Sequence, residues 1–157
     1  MAARTPTNQP FVADAIAILA PSDEGQPLRA ERIDVIIEGE PQVQERPRMS
    51  NIGGMHMYDP NSLIKVKFRA AVKKTFDDLK FTYPLFQVAL KIQVTFHISN
   101  MAKDVDNLLK FVLDALQTIV YNDDRSVQKI TAEKHHSPDR GYTTIAVEPF
   151  NIIHIIE

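Results

Sequence analysis

The sequence predicts an α/β domain of the α+β type, a small β-sheet with two main helices, and three observations predict it. Apolar residues recur at helical spacing in two stretches, Ile64, Phe68, Val72, Phe76 and Leu79 in the first and Leu109, Val112, Leu113, Leu116 and Val120 in the second. Between them, Phe86 to Ser99 alternates apolar and polar residues with the two-residue period of a long half-buried strand. A chain of 157 residues with 44% hydrophobic and 24% charged side chains fits one globular domain with a real core.

Taken in order, residues 1–30 are rich in Pro, Ala, Thr and Gln without sustained periodicity, which predicts a flexible N-terminal extension with a short ordered piece from Asp14 to Leu19. The folded domain is expected over residues 31–150, and a C-terminal tail over 151–157 holds the apolar run Ile152 to Ile156. Ile33 to Glu38 is β-branched and closed by Gly39, so it reads as the first strand. Glu40 to Pro60 is a long loop carrying Arg46-Pro47-Arg48, the Gly53-Gly54 pair and Tyr58-Asp59-Pro60, and a loop this long in a small domain is either functional or disordered.

Asn61 or Ser62 caps the first helix, which runs to about Leu79 and sets Lys65, Arg69 and Lys73 on a line away from its apolar face. Tyr83-Pro84 ends it. In the long strand that follows, Val88, Leu90, Ile92, Val94, Phe96 and Ile98 share the covered face. The second helix begins near Asp106 and ends near Thr118; Leu108, Phe111 and Ala115 widen its apolar surface almost round the cylinder, the mark of an element buried on most sides. Ser126 to His135 reads as a strand, Pro138 to Gly141 as a turn, and Tyr142 to Glu148 as the hairpin partner of that strand.

With no cysteine the chain has neither disulfides nor thiolate metal sites, and the five histidines form no spaced cluster, so a metal would be held by carboxylate oxygen. No apolar run approaches the length that crosses a bilayer, which predicts a soluble, intracellular protein with no membrane partner. Charge is uneven. Residues 1–45 carry three arginines against eight acids, a net −5, which leaves +3 for the remainder of a chain whose formal total is −2. Between Arg46 and Lys74 seven basic residues (Arg46, Arg48, Lys65, Lys67, Arg69, Lys73, Lys74) face one acid, Asp59, either a polyanion footprint or a solvated basic face.

The chemistry concentrates between Lys103 and Arg125. Asp104 and Asp106 lie at a strand-to-helix junction, where two carboxylates on one rim bind a divalent cation or repel each other. Lys110 lies one turn after Asp106, and helical side chains lean toward the helix N-terminus, so its ammonium can reach back toward the pair. Asp123 and Asp124 follow the helix, and in an extended strand start only one of them faces the side of the first pair. A helix of about a dozen residues spans roughly 18 Å. The two clusters therefore converge only if the chain folds back after the helix or a second subunit supplies one of them. Oxygen ligands, a nearby ammonium and a basic loop point to Mg²⁺- or Mn²⁺-assisted attack of water on a phosphodiester. The bland reading is that the first two acids cap a helix and Lys110 makes an ordinary ion pair.

Asp104-Val105-Asp106-Asn107-Leu108-Leu109-Lys110, then Leu113-Asp114-Ala115-Leu116, then Asn122-Asp123-Asp124-Arg125-Ser126-Val127 closely resembles the D-x-D-N-x-x-K, D-A-L and D-D-x-x-V signature of the RusA family of Holliday junction resolvases. Gly39 to Arg48, Tyr58-Asp59-Pro60, Lys134 and Tyr142 to Val147 also look like that family, so the resemblance covers about residues 33–148. It implies a RusA-like fold with a mixed sheet and a homodimer acting on branched DNA. It also implies a magnesium-dependent endodeoxyribonuclease of recombination and repair, cytoplasmic and nucleoid-associated in a bacterial or phage setting. Carried over by position, Asp104, Asp106 and Asp124 are the metal-binding catalytic carboxylates and Lys110 a catalytic-site cation. Arg46, Arg48, Lys65, Arg69, Lys73 and Lys134 are the expected DNA contacts. The central helix and the Ile152 to Ile156 run are candidates for the dimer interface. Lys103 stands where many relatives have proline, which leaves the chemistry intact and bears on the stiffness of that turn. A non-catalytic branched-DNA-binding protein of the same fold is the alternative, and the intact acids argue against it. Nucleotide-sugar transferases also use D-x-D with a cation, but on larger chains.

Overall fold

The computed structural model describes residues 11–19, 30–78 and 88–150. In chain order the elements are β1 (Val12–Leu19), β2 (Ala30–Glu38), β3 (Arg48–Ser50), β4 (His56–Tyr58), α1 (Ser62–Asp78), β5 (Leu90–Ile98), α2 (Val105–Leu116), a 3-10 turn (Asp124–Ser126), β6 (Val127–His136) and β7 (Tyr142–Pro149). Five strands form one sheet in the order β1-β2-β7-β5-β6, and β3 pairs with β4 as a separate hairpin. Only β5 and β6 run parallel in the large sheet, with α2 as their crossover, so the sheet is mixed and the fold is the small α/β type with two helices.

One face of the sheet is the core. The register sets Ile33 opposite Val147 and Val35 opposite Ile145 on one side of β7, and Ile92 opposite Val147 and Val94 opposite Ile145 on the other. Those side chains therefore share a face, and all are buried. Phe68, Val72 and Phe76 of α1 and Leu108, Phe111, Val112, Ala115 and Leu116 of α2 cover it. Phe68 meets Phe11 and Phe111 edge-on at centroid distances of 5.2 and 5.4 Å, a geometry that suits the ring quadrupoles and ties the N-terminal strand to both helices. Among the described residues no helix is long and apolar enough to cross a membrane.

Several expectations change. The short ordered piece expected from Asp14 to Leu19 is an edge strand of the sheet and begins at Val12. Phe11, Ala13 and Ala15 turn inward while Val12, Asp14 and Ile16 turn outward, so small inward alanines and apolar outward residues hide the alternation. The long loop before α1 contains the β3–β4 hairpin. Tyr142–Pro149 is not the hairpin partner of β6; it lies between β2 and β5. Residues 137–141 carry the chain past the end of β5, where the Ser137 N–H donates to Ile98 O at 2.8 Å, and five residues easily bridge two strand spacings of about 4.8 Å. The exchange is physically sensible: β7, with Thr143, Ile145 and Val147 buried, takes an interior position, and β6, mostly exposed and charged, takes the edge. Val88 is exposed rather than on the covered face. The expected helix end at Leu79, the breaker Tyr83-Pro84, the strand start at Phe86 and the run Ile152 to Ile156 lie outside the described residues. α2, one of the two elements considered for a dimer interface, is core.

The sheet's other face mixes polar side chains with the exposed Val12, Ile16 and Ile36, and has one titrating group of note. His97 stacks on Tyr142 with centroids 3.9 Å apart and planes 7° apart, and His135 lies 5.5 Å away. Arg140 covers the same tyrosine ring at 4.2 Å, and His135 pairs with Glu133 at 3.0 Å. Burial, and after it the neighbouring His135, pushes the His97 pKa below its ordinary 6.5. The unfolded chain then binds that proton more readily, so the stability is present above the unfolded value and is lost as pH falls through it toward the lower folded value. The thermal midpoint is expected to drop between about pH 7 and about pH 5. His97→Phe, which keeps a ring on Tyr142, should shrink that drop; melting both proteins at the two pH values checks it.

Candidate active site

The carboxylates of Asp104 and Asp106 stand at the N-terminus of α2, and four anchors fix the turn that delivers them. Within the turn, Lys103 N–H donates to Asn100 O at 3.3 Å and Ala102 N–H to Asn100 Oδ1 at 3.0 Å. From β6, Lys134 Nζ donates to the carbonyls of Met101 and Lys103, each at 2.9 Å. From the loop after β2, Pro41 O accepts from Lys103 Nζ at 2.8 Å and Glu40 pairs with it at 3.7 Å. Glu40 Oε1 also accepts from Ser99 N–H at 3.0 Å and Ser99 Oγ at 2.9 Å. Lys103 thus stiffens this turn by hydrogen bonding. Gly141 makes room for this: a Cβ there would sit 2.7 Å from Glu40 Cα.

Asp104 is the N-cap residue, with extended φ −74° and ψ 133°, yet its side chain makes no capping hydrogen bond. Its main-chain oxygen takes the Leu108 N–H at 3.0 Å, and the carboxylate is exposed. Asp106, also exposed, accepts from the adjacent Asn107 N–H at 3.0 Å and from no other group among the described residues. The helix-cap reading of Asp104 therefore fails, and both acids keep acceptor capacity for a ligand. Gln44 N–H donates to Asn107 O at 3.0 Å, which docks the Val43 to Arg48 loop against the same helix start. Between loop and helix lies a cleft of about 640 Å³, lined by residues 43–48 on one wall and by Asp104, Asp106 and Asn107 on the other. The buried Gln44 Oε1 has no hydrogen-bond partner among the described residues. Lys110 is exposed one turn further along, makes no ion pair among the described residues, and is not part of the cleft wall.

The second acidic cluster is elsewhere. Leu90 pairs with Val127 and Ile98 with His136 in the parallel β5–β6 ladder, so Asp104 follows the top of β5 while Asp124 precedes the bottom of β6. The twelve-residue α2 separates them, a span of about 18 Å. Asp124 opens a 3-10 turn rather than an extended strand start. Its neighbour Asp123 is committed locally: it accepts from Arg125 N–H at 2.9 Å, Nε at 3.1 Å and Nη2 at 3.0 Å. Those bonds, the side-chain ones first, hold its carboxyl below the usual carboxylate range.

The basic residues divide. Arg46 and Arg48 are exposed on the cleft wall, Arg48 pairing with Glu45 at 3.1 Å and Arg46 with no acid among the described residues. Lys73 is exposed on α1. Three others have internal work. Lys65 is half-buried between Asp59 and Asp114, each at 3.5 Å. Arg69 closes the C-terminus of α2, with Nη1 donating to Ala115 O at 2.8 Å and Gln117 O at 2.7 Å and Nη2 to Thr118 Oγ1 at 2.9 Å. Lys134 holds the turn before Asp104. The structural roles of Glu40, Gln44, Lys103 and Asn61, whose Oδ1 accepts the Glu45 N–H at 2.6 Å, have no signal in the sequence beyond the departure at Lys103.

As donors, Asp104 and Asp106 fit a hard cation such as Mg²⁺ or Mn²⁺: two exposed oxygen ligands with spare acceptor capacity. Among the described residues no three His, Asp or Glu side chains gather to hold a metal ion, and the side chain of Asp124 lies outside those residues. Fold and cleft together define a small mixed α/β protein whose cleft is lined by two carboxylates and two arginines. The sequence model of the family Endodeoxyribonuclease RusA matches residues 38–148, and the chain belongs to that family. No curated protein matches it.

Proposed function

We propose that this protein is a structure-selective endodeoxyribonuclease that resolves four-way DNA junctions as a homodimer, using Mg²⁺ or Mn²⁺. The observation that carries this is the cleft in which two exposed, uncapped carboxylates face Arg46 and Arg48, in a chain of the RusA family. Asp104 and Asp106 hold the cation, and Arg46 and Arg48 bind phosphates of the strand to be cut. Lys110 supplies a further positive charge one turn further along α2. The cation supplies Lewis acidity, which makes water a better nucleophile and offsets charge gathering on the phosphodiester.

The parallel β5–β6 ladder gives the dimer a chemical reason. Asp104 and Asp106 lie at one end of α2 and the backbone of Asp124 at the other, which supports a site completed by Asp124 from a second copy of the chain. A two-fold pair then holds two such sites, matching the two symmetry-related strands that a four-way junction needs cut.

The test is a gel assay on a synthetic four-way junction and a linear duplex, with and without Mg²⁺. Paired symmetric nicks that a ligase reseals, with far less cutting of duplex, are expected. Equal cutting of both substrates points to a general nuclease, and junction binding without cutting to a non-catalytic relative. A second measurement separates the basic residues. Arg46→Ala should weaken junction binding and lower the slope of log affinity against log salt by about one, since one phosphate contact releases about one counterion. Lys73→Ala should do the same to a smaller degree. Unchanged slopes for both would move the DNA path away from this loop and helix.

A further inference from the structure

The hairpin that rises from the cleft wall has a surface that the cleft chemistry does not use. Met49 and Met57 pair across it at 54% and 60% exposure, and Ile52 and Met55 flank the turn at 86% and 72%. Gly53 and Gly54 hold that turn with φ of +74° and +107°, and an added Cβ at either would meet nothing within 4 Å, so the tip stands clear of the domain. Four large apolar side chains on a three-residue-per-strand hairpin find no burial among the described residues. From Arg46 to Tyr58 the segment carries Arg46, Arg48 and His56 and no acid.

From this we infer that the β3–β4 hairpin is a wedge that enters the branch point of the DNA and unstacks bases there, with Ile52 and Met55 at its tip. The inference rests on the resolvase reading above. Charge complementarity chooses the occupant: arginines at the base of the hairpin meet phosphates, and apolar side chains at its tip meet base faces. A two-fold contact through this segment would instead crowd the arginines of two copies, with Glu45 beside Arg48 as the adjoining acid. Position agrees, because the base of the hairpin is the wall opposite Asp104 and Asp106. A strand seated in the cleft therefore runs beside it. Continuous duplex offers the tip no free base face, whereas stacking is already interrupted at a branch, so the wedge favours junctions.

The experiment uses the full chain and a four-way junction with 2-aminopurine at the crossover, bound with Ca²⁺ in place of Mg²⁺. The wild-type protein should raise the fluorescence as the base unstacks. The double variant Ile52→Ser, Met55→Ser should lose most of that rise and, with Mg²⁺, cut the paired junction roughly tenfold more slowly. On a junction with unpaired bases at the crossover its rate should return to that of the wild type, which a misfolded variant could not do. The wedge is overturned if the wild type binds without a rise, if the variant keeps the rise, or if it cuts both junctions equally slowly. A variant that sediments as a monomer where the wild type is a dimer also overturns it and assigns the hairpin to a second copy. Failure of the wild type to bind any junction sinks the resolvase reading itself.

Discussion

Asp104→Asn, Asp106→Asn and Asp124→Asn are each expected to lower junction cleavage by on the order of a thousandfold while junction binding stays intact or tightens. Asparagine keeps the size and the hydrogen bonding of aspartate and removes the charge that a cation needs. Two of the three carboxylates are exposed and make no ion pair among the described residues, so their loss strands no buried partner and the fold should be untouched. Phosphate repulsion falls at the same time, which is why binding should hold. Asp123→Asn should be milder, since that carboxylate holds Arg125 and the 3-10 turn. Single-turnover cleavage and binding measured on all four variants decide the assignment. An active Asp124→Asn beside a dead Asp123→Asn would mean that the wrong member of the pair has been given to the metal.

Arg69→Ala should act on folding rather than on DNA. Its guanidinium closes the C-terminus of α2 by donating N–H groups to Ala115 O, Gln117 O and Thr118 Oγ1. Carbonyls at a helix end lack intrahelical partners, and a cation there also suits the helix dipole. Thr118 adds a second demand. It sits at φ +72°, a left-handed conformation that a β-branched residue adopts at a cost of about 1–3 kcal/mol. The Arg69 contact holds it there. Losing charged hydrogen bonds of this kind costs about 2 kcal/mol, which for a domain near this size lowers the melting temperature by roughly 4–8 °C. The salt slope of junction binding should not move. A variant that melts normally and loses affinity would return Arg69 to the DNA surface.

What the sequence made legible followed from periodicity and from motif. The helices around Phe68 and Phe111 and the strand through Val94 declare themselves because one face of each is almost wholly apolar. Pairing order did not declare itself, since a short turn after His136 suits a hairpin as well as a step across β5. β1 was obscured because its inward positions are Ala13 and Ala15, which carry little hydrophobic signal. At the site, Asp104 and Asp106 were readable from spacing at a strand-to-helix junction. The uses of Lys65, Arg69 and Lys134 were not, because a cation that grips carbonyls or buried acids looks in sequence like one that faces phosphate. The separation of Asp124 from the first pair became decidable only with the parallel register of β5 and β6.

That separation is the basis of the claim that each site is built from two subunits, and mixing two dead variants tests it most directly. Protein carrying Asp104→Asn is combined with protein carrying Asp124→Asn, subunits are exchanged, and cleavage of a four-way junction is followed. If each site takes Asp104 and Asp106 from one protomer and Asp124 from the other, every mixed dimer has one intact site and one doubly damaged site. Activity should then reappear as nicking of single strands, at roughly a quarter of the wild-type site number when exchange is random. Mixtures confirmed to contain mixed dimers that remain as inactive as either parent would contradict the shared site and place all the catalytic acids within one chain.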